Sequence, residues 1–361
     1  MAIARAGPGP AAATGCGSVR VLARGLLSLI LVGVAVLGIL WVEYQQFLRT
    51  PVALDDDQGL IEIAPGTTLF ALAERLTAEG VIDDPYFFAA LAYQKGLQDQ
   101  LKVGEYDISA DARPLDLLER FASGRSIQYP VTLIEGRTFD EAVAGLADHP
   151  ALQHELLGLP TAEIMERVGI DAAHPEGWLF PDTYLVMRGS SDVELLRRAH
   201  QRMRSVLAEE WEQRAEGLPI ETPYEALILA SIIEKETGVA EERPAIAGVF
   251  VRRLQRGMRL QTDPTVIYGM GDAYDGNIRR SDLREETPYN TYVIDGLPPT
   301  PIALPGREAI HAALHPADGD TLYFVAKGDG SHYFSATLEE HNCAVRHYQL
   351  NQPCRALRES R

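Results

Sequence analysis

The longest uninterrupted apolar run, GLLSLILVGVAVLGILWV from Gly25 to Val42, contains no charged residue. At about 1.5 Å per residue it just crosses a bilayer core with help from its flanks. The pattern predicts a transmembrane helix over 20–44 behind a disordered Ala-, Gly- and Pro-rich tail at 1–19. Arg5, Arg20 and Arg24 precede the run, whereas Glu43 and Asp55 to Asp57 follow it. The positive-inside bias therefore puts the tail in the cytoplasm and the body outside. A cleaved signal peptide competes with this reading, but the bulky WVEYQQF stands where a cleavage site takes small residues. Cys16 precedes the run, so it is not a lipoprotein cysteine placed after a signal core.

Beyond a linker at 45–58, the pattern alternates between short strands and helices and predicts an α+β architecture. An apolar strand at Leu60 to Ile63, a Pro65-Gly66 turn, helices near Thr67 to Ala78 and Pro85 to Lys95, and a strand near Val103 to Ile108 form one small unit, 59–128. The stretch IEIAPGTTLFALAERL and the element order resemble a LysM-like module, which implies glycan binding; a spacer or docking role stays open. A short helix at Pro114 to Ala122 closes this unit. The second body, 129–350, opens on VTLIEGRTFDEAVAGL, whose strand, Gly, Thr and helix echo the first. The segment Ala151 to Ala173 reads as a polar surface helix, Glu176 to Val186 as a strand or tight loop, and Ser191 to Gly217 as a long charged helix. Residues 351–361 form a terminal tail.

One helix breaks the amphipathic rule. Thr222 and Pro223 start it, Gly238 stops it, and Ala226 to Ile233 is apolar on nearly every face except at Ser231, so it is expected to be buried. Two carboxylates, Glu234 and Glu236, sit at its end on faces about 200° apart. Glu236 stacks on Leu229, Ile232 and Ile233. Desolvation and the negative end of the helix dipole both raise a carboxyl pKa and act hardest at Glu236, giving it the character of a general acid. Ion pairing of either glutamate with Lys235 or Arg243 is the bland alternative.

Another helix follows at Ala240 to Gly257, with Arg252, Arg253 and Arg256 expected to face outward. In MRLQTDPTVIYGMG the Asp263-Pro264 step predicts an extended or turn backbone presenting Gln261, Thr262 and Asp263. The Pro-rich TPYNTYVIDGLPPTPIALP at Thr287 to Pro305 predicts a rigid loop carrying Tyr289, Asn290 and Tyr292, the side-chain mix of a sugar cleft. YFVA at Tyr323 to Ala326 and the strand at His332 to Phe334 predict a hairpin across Gly328 to Gly330.

Charge narrows the function classes. With 33 basic against 51 acidic residues the formal net charge is -18, which argues against nucleic acid as a partner. Cys16, Cys343 and Cys354 show no metal-ligand spacing; the latter two are expected as free thiols, or as one disulfide outside the cytoplasm. His332 and His341 lack acidic or cysteine companions at ligand spacing, so neither a metal nor a cofactor is expected.

IIEKETG at 232–238, RLQTDPTVIYGMG at 259–271, YNTY at 289–292, GLPPTPIALPG at 296–306 and YFVAKGDGSHYFSATLEEHN at 323–342 closely resemble the endolytic murein transglycosylases, also called YceG-like. The resemblance implies a single-pass protein of the inner (cytoplasmic) membrane with a periplasmic catalytic body. Such a protein cuts nascent peptidoglycan strands internally without a cofactor and has peptidoglycan synthases as candidate partners. The family's catalytic glutamate falls on Glu236. Gln261, Asp263, Tyr289, Asn290, Tyr292 and Glu176 are the candidate sugar-binding residues, each with a loop-fixing hydrogen bond as its alternative role, and Glu234 is the candidate supporting group.

Overall fold

The computed structural model of the chain describes residues 16–53 and 59–353, the side chains of 16–23 excepted. Most of the predicted cytoplasmic tail, the acidic run Asp55 to Asp57 and Cys354 lie outside the described residues. The chain divides into two compact units, Met1–Ile127 and Gln128–Arg361.

In the first unit, helix α1 (Cys16–Arg49) is long and apolar enough over Arg24–Arg49 to cross a membrane, and none of its apolar window is buried in protein. Its last turns depart from the predicted linker. Phe47 is buried and meets the ring of Phe87 edge-on at 5.8 Å, while the Tyr44 hydroxyl donates to Gln94 Oε1 at 2.8 Å. Val52 is also buried, and its N–H donates to the Ala112 carbonyl at 2.8 Å. Tyr44, Phe47 and Leu48 recur at helical spacing, a signal masked by the apolar run before them.

The remaining elements of this unit are β1 (Leu60–Ile63), α2 (Leu69–Ala78), α3 (Pro85–Lys95), β2 (Gly104–Asp107) and α4 (Pro114–Ser123). The strands pair antiparallel, Leu60 opposite Asp107 and Ile63 opposite Gly104. Local chemistry starts each helix. Thr68 Oγ1 accepts the Ala71 N–H, and Asp84 Oδ1 accepts those of Tyr86 and Phe87 with Pro85 in the first turn. Leu72, Leu76, Phe88, Tyr106 and Phe121 are wholly buried between them.

The second unit begins with β3 (Tyr129–Thr132), α5 (Phe139–Ala144), β4 (Leu152–Gln153), α6 (Thr161–Val168), β5 (Thr183–Val186), β6 (Ser190–Ser191) and α7 (Asp192–Glu212). β3 pairs antiparallel with β5, and β4 parallel with β6. The expected polar surface helix at Ala151 to Ala173 is only α6, and Ala151, Leu152, Leu156, Ile164, Val168 and Ile170 are buried. Pro160 and a left-handed Gly169 confine the helix, leaving the apolar residues outside it free to point inward from loops.

Helices α8 (Pro223–Glu236), α9 (Arg243–Gln255), α10 (Asp263–Met270) and α11 (Arg307–Leu314), the hairpin of β7 (Tyr323–Ala326) and β8 (His332–Ser335), and α12 (Leu338–Tyr348) complete it. α8 is the centre of the core: every residue from Ala226 to Ile233 is buried. Its N-terminus is a reciprocal cap in which Thr222 Oγ1 accepts the Glu225 N–H while Glu225 Oε2 accepts that of Thr222 at 3.0 Å. Ser231, the polar residue on this apolar helix, donates to the Ile228 carbonyl at 2.7 Å and accepts the Ile302 N–H at 3.0 Å. That bond fixes the Pro-rich loop along the helix. Cys343 is buried and disulfide-bonded, which overturns the expectation of a free thiol there.

Candidate active site

Glu236 is the last residue of α8, where the helix gives way to an extended Thr237. Its carboxyl opens into a cleft of about 540 Å³, between the 260–263 segment with Tyr292 and the wall formed by β7, β8 and α12. Burial pushes this carboxyl up to about 7, and the negative charge of Asp263 adds to the effect. Two groups oppose it: Thr262 donates its hydroxyl to Oε1, and the Arg253 guanidinium lies close enough to favour the anion. Desolvation wins, so near neutral pH the group is divided between acid and carboxylate.

The backbone holding Thr262 is fixed from both sides. Thr262 is extended at φ −118°, Gln261 before it is left-handed at φ 51°, and Asp263 after it begins α10. Asp263 is thus helical rather than on the predicted extended segment, because proline is tolerated within the first helical turn and Pro264 falls there. The Gln261 N–H donates to the Thr291 carbonyl at 3.1 Å, the Thr262 N–H to Thr291 Oγ1 at 3.0 Å, and Thr265 Oγ1 to the Thr262 carbonyl at 2.9 Å. This buried threonine network sets the hydroxyl against Glu236.

Arg253 was expected on the outer face of its helix and is instead 7% exposed. Its guanidinium donates to the carbonyls of Leu322 at 2.7 Å and Leu260 at 2.9 Å, so it ties α9 to both walls of the cleft, and it lies over the Tyr323 ring. Helical periodicity did not reveal this, because the hairpin that covers Arg253 lies about seventy residues further along the chain.

Of the predicted sugar-binding residues, Gln261, Asp263 and Tyr292 line the cleft with Glu236. The Tyr292 hydroxyl donates to Asp263 Oδ1 at 2.6 Å. Asn290 is buried: its amide donates to the carbonyls of Asp282 at 2.9 Å and Glu285 at 2.7 Å, and its Oδ1 accepts the Tyr292 N–H. It shapes the loop that carries Tyr292. Tyr289 stands outside the cleft lining, packed edge-on against Tyr268 at 5.0 Å, with its hydroxyl 2.8 Å from Thr300 Oγ1.

Glu176 likewise lies outside the cleft lining and is 3% exposed. Oε1 accepts the Phe139 N–H at the start of α5, at 2.8 Å, and Oε2 accepts the Tyr268 hydroxyl at 3.1 Å. Burial pushes this carboxyl up to about 7 against those donors. Glu234 turns away from Glu236, its Oε1 3.3 Å from Arg243 and its Oε2 accepting the Gly306 N–H at 3.0 Å.

Elsewhere, Glu210, His311 and His315 each bring one potential ligand atom within 4.8 Å of the others, a grouping the sequence spacing did not flag. These atoms already serve one another and their neighbours. Glu210 bonds Arg307 at 2.6 Å and His311 Nδ1 at 2.8 Å, and His315 Nε2 lies 2.8 Å from the Gln213 carbonyl.

Fold and site together define a two-unit α+β protein whose first unit opens on one apolar helix, with a cleft lined by two carboxyls, Glu236 at the end of the buried helix α8 and Asp263 at the start of α10. The chain belongs to the YceG-like family, whose model matches residues 61–347. It is 30% identical over 326 residues to the endolytic murein transglycosylase of Bacillus subtilis, covering 84% of this chain and 89% of that one. The protein of the same name from Streptococcus pneumoniae serotype 2 is 27% identical over 83% of this chain, which spans 60% of that longer relative. A crystal structure of a putative YceG-like protein from Listeria monocytogenes superposes with a TM-score of 0.50 at 29% identity, covering 78% of this chain and 97% of that one.

Proposed function

We propose that the protein is a membrane-anchored endolytic transglycosylase that cleaves the β-1,4 bond between N-acetylmuramic acid and N-acetylglucosamine in nascent peptidoglycan strands. The observation that carries this reading is the Glu236 carboxyl, pushed to about 7 inside a polar, aromatic cleft, in a chain whose relatives bear the name of that activity. In its acid form Glu236 protonates the glycosidic oxygen as the bond to C1 breaks. The resulting carboxylate takes the proton of the same muramyl sugar's 6-hydroxyl as that oxygen attacks C1, which closes a 1,6-anhydro ring. No water enters, and the acid is regenerated. Asp263, held by Tyr292, supplies negative charge on the side where the oxocarbenium ion develops, and Gln261 and Tyr292 bind the sugars. The proposed support for Glu236 comes from Glu234, which fixes the helix end through Arg243 and Gly306.

Helix α1 is the proposed single-pass anchor in the cytoplasmic membrane, its N-terminus cytoplasmic and the catalytic body beyond it periplasmic. An enzyme tethered there meets strands as they leave their synthases, which makes those synthases its proposed partners. Residues 59–128 are the proposed LysM-like glycan-holding module. A depression of about 450 Å³ lined by Thr67, Phe70, Tyr93 and Gln98 offers the aromatic and amide groups such a role requires.

A second reading, hydrolysis by water, draws on the presence of a second carboxylate, Asp263, in the same cleft. Mass analysis of products from purified glycan strands decides between them. Anhydro ends are expected; reducing ends one water heavier would establish the hydrolase. Strands bound but left intact by the wild-type chain would reduce the protein to a glycan-binding scaffold.

A further inference from the structure

Helix α1 does not end where its apolar run ends. The charge-free run stops at Val42, and the same helix continues to Arg49 within the first unit. There it packs against α3, and the contacts fix both the direction and the level of that helix. At the far end, the Ala53 N–H donates to the Val81 carbonyl at 3.1 Å, and Asp83, just before α3, shares a small pocket with Thr50 to Ala53. At the near end, the Tyr44 hydroxyl donates to Gln94 Oε1 at 2.8 Å. Between these points the Phe87 ring meets Tyr44 at 5.5 Å and Phe47 at 5.8 Å, both edge-on. α3 therefore runs antiparallel to α1, back toward the apolar run. Helical side chains lean toward the N-terminus of their own helix. Tyr44 thus leans toward Val42 and Gln94 leans the opposite way to meet it, which brings the end of α3 to the level where the apolar run stops. Left-handed Gly96 then ends α3, and the Gln100 N–H closes a turn on the Leu97 carbonyl at 3.1 Å.

We propose that the end of α3 and its turn, Gln94 to Gln100, rest in the phospholipid headgroup layer with Lys95 on a lipid phosphate, so that α1 is a rigid mast setting the height of the first unit. This rests on the anchor reading of α1 above. The headgroup layer beyond the hydrocarbon core is about 5–8 Å thick on each side, and one turn of α1, about 5.4 Å, spans it. Trp41, exposed in the last turn of the apolar run, is a residue that membrane interfaces favour. The chemistry of the segment fits the same depth. Gln94, Lys95, Asp99 and Gln100 are exposed, one cation and one anion among amides, neutral in sum as a zwitterionic headgroup layer is. Asp99 Oδ2 accepts the Gln98 amide at 3.0 Å, which leaves the Lys95 ammonium for a phosphate oxygen. Phe47 is buried in this joint, so the helix meets the unit without a hinge between Val42 and Arg49.

The test uses the full chain in phospholipid nanodiscs, with a photo-crosslinking amino acid placed in turn at Leu31, Gln100 and Asp83 and lipid adducts read by mass spectrometry. Leu31 lies within the apolar run, whereas Asp83 stands beside Thr50 to Ala53, about 10 Å further along the axis of α1 than Tyr44. Adducts are expected at Leu31 and Gln100 and not at Asp83. Lys95→Glu is expected to lower the yield at Gln100, and Lys95→Arg to retain it. Adducts at Leu31 without any at Gln100, or equal yields at Gln100 and Asp83, overturn the proposal and leave the anchor standing. An unchanged yield in Lys95→Glu overturns the phosphate contact. No adduct at Leu31 overturns the anchor and the proposal together.

Discussion

Thr262 donates its hydroxyl to Oε1 of Glu236, so the group that desolvation turns into an acid is also held by a bond that favours its anion. The two effects oppose each other at one atom, and their balance sets the pH range over which the acid form exists. Removing the donor in Thr262→Val takes away a bond to a charged group worth about 1.5–3 kcal/mol in general, so the carboxyl titrates higher. The alkaline limb of the cleavage rate is expected to move up by about one pH unit, read from rate against pH on purified strands.

Glu236→Gln retains the shape and loses the proton. Cleavage is expected to fall by on the order of 10²–10⁴-fold, with Tm equal to or above that of the wild type because the cost of burying a carboxylate disappears. Anhydro ends, counted by mass spectrometry, measure the rate. For the wild type, cleavage in the acid-first step is expected to fall as pH rises through about 7, the value to which burial raises this group.

Glu176 links stability to pH in the same direction. Its folded pKa of about 7 lies above the ordinary 4.5, so the folded state holds a proton that the unfolded state has released between those values. Its contribution to stability is full below about pH 4.5 and lost as pH rises through about 7, amounting to on the order of 3 kcal/mol. Denaturant midpoints from pH 4 to 8 are expected to show a decline that Glu176→Gln flattens; an equal slope in the variant would count against the shift.

Asn290 bridges two backbone carbonyls and one N–H from a buried position. Asn290→Ala leaves those groups unpaired, and a loss of stability of about 1–3 kcal/mol per stranded group is expected, visible in the denaturant midpoint. A variant that binds strands poorly at full stability would instead return Asn290 to direct sugar contact.

Tyr292→Phe removes the hydroxyl that donates to Asp263 at 2.6 Å. Cleavage is expected to drop about tenfold, the equivalent of roughly 1.4 kcal/mol of transition-state stabilisation, with Tm nearly unchanged. Asp263→Asn is expected to cost more, since it removes the charge itself, and anhydro ends are expected to remain the product of both variants.

The sequence alone determined the features that are local. The apolar run of α1, the start of α8 at Thr222 and Pro223, the burial of that helix and the carboxyl at its end follow from the order of residues within one or two helical turns. The raised pKa of Glu236 was legible for the same reason, because burial, its main cause, was expected from the apolar character of the helix that carries it. Only the tertiary structure decided what depends on distant partners. Arg253 looked outward until the hairpin covered it, and Tyr289 and Asn290, which read as cleft residues by composition, turned inward to Thr300 and to the carbonyls of their own loop. Phe47 left its expected linker for the core beside Phe87. Thr262 and His341, which no periodicity singles out, were brought to opposite walls of one cleft by segments almost eighty residues apart. The physical reason is common to all of them. Periodicity reports which face of an element is apolar, whereas the partner of a polar atom is fixed by whichever segment packs against that face.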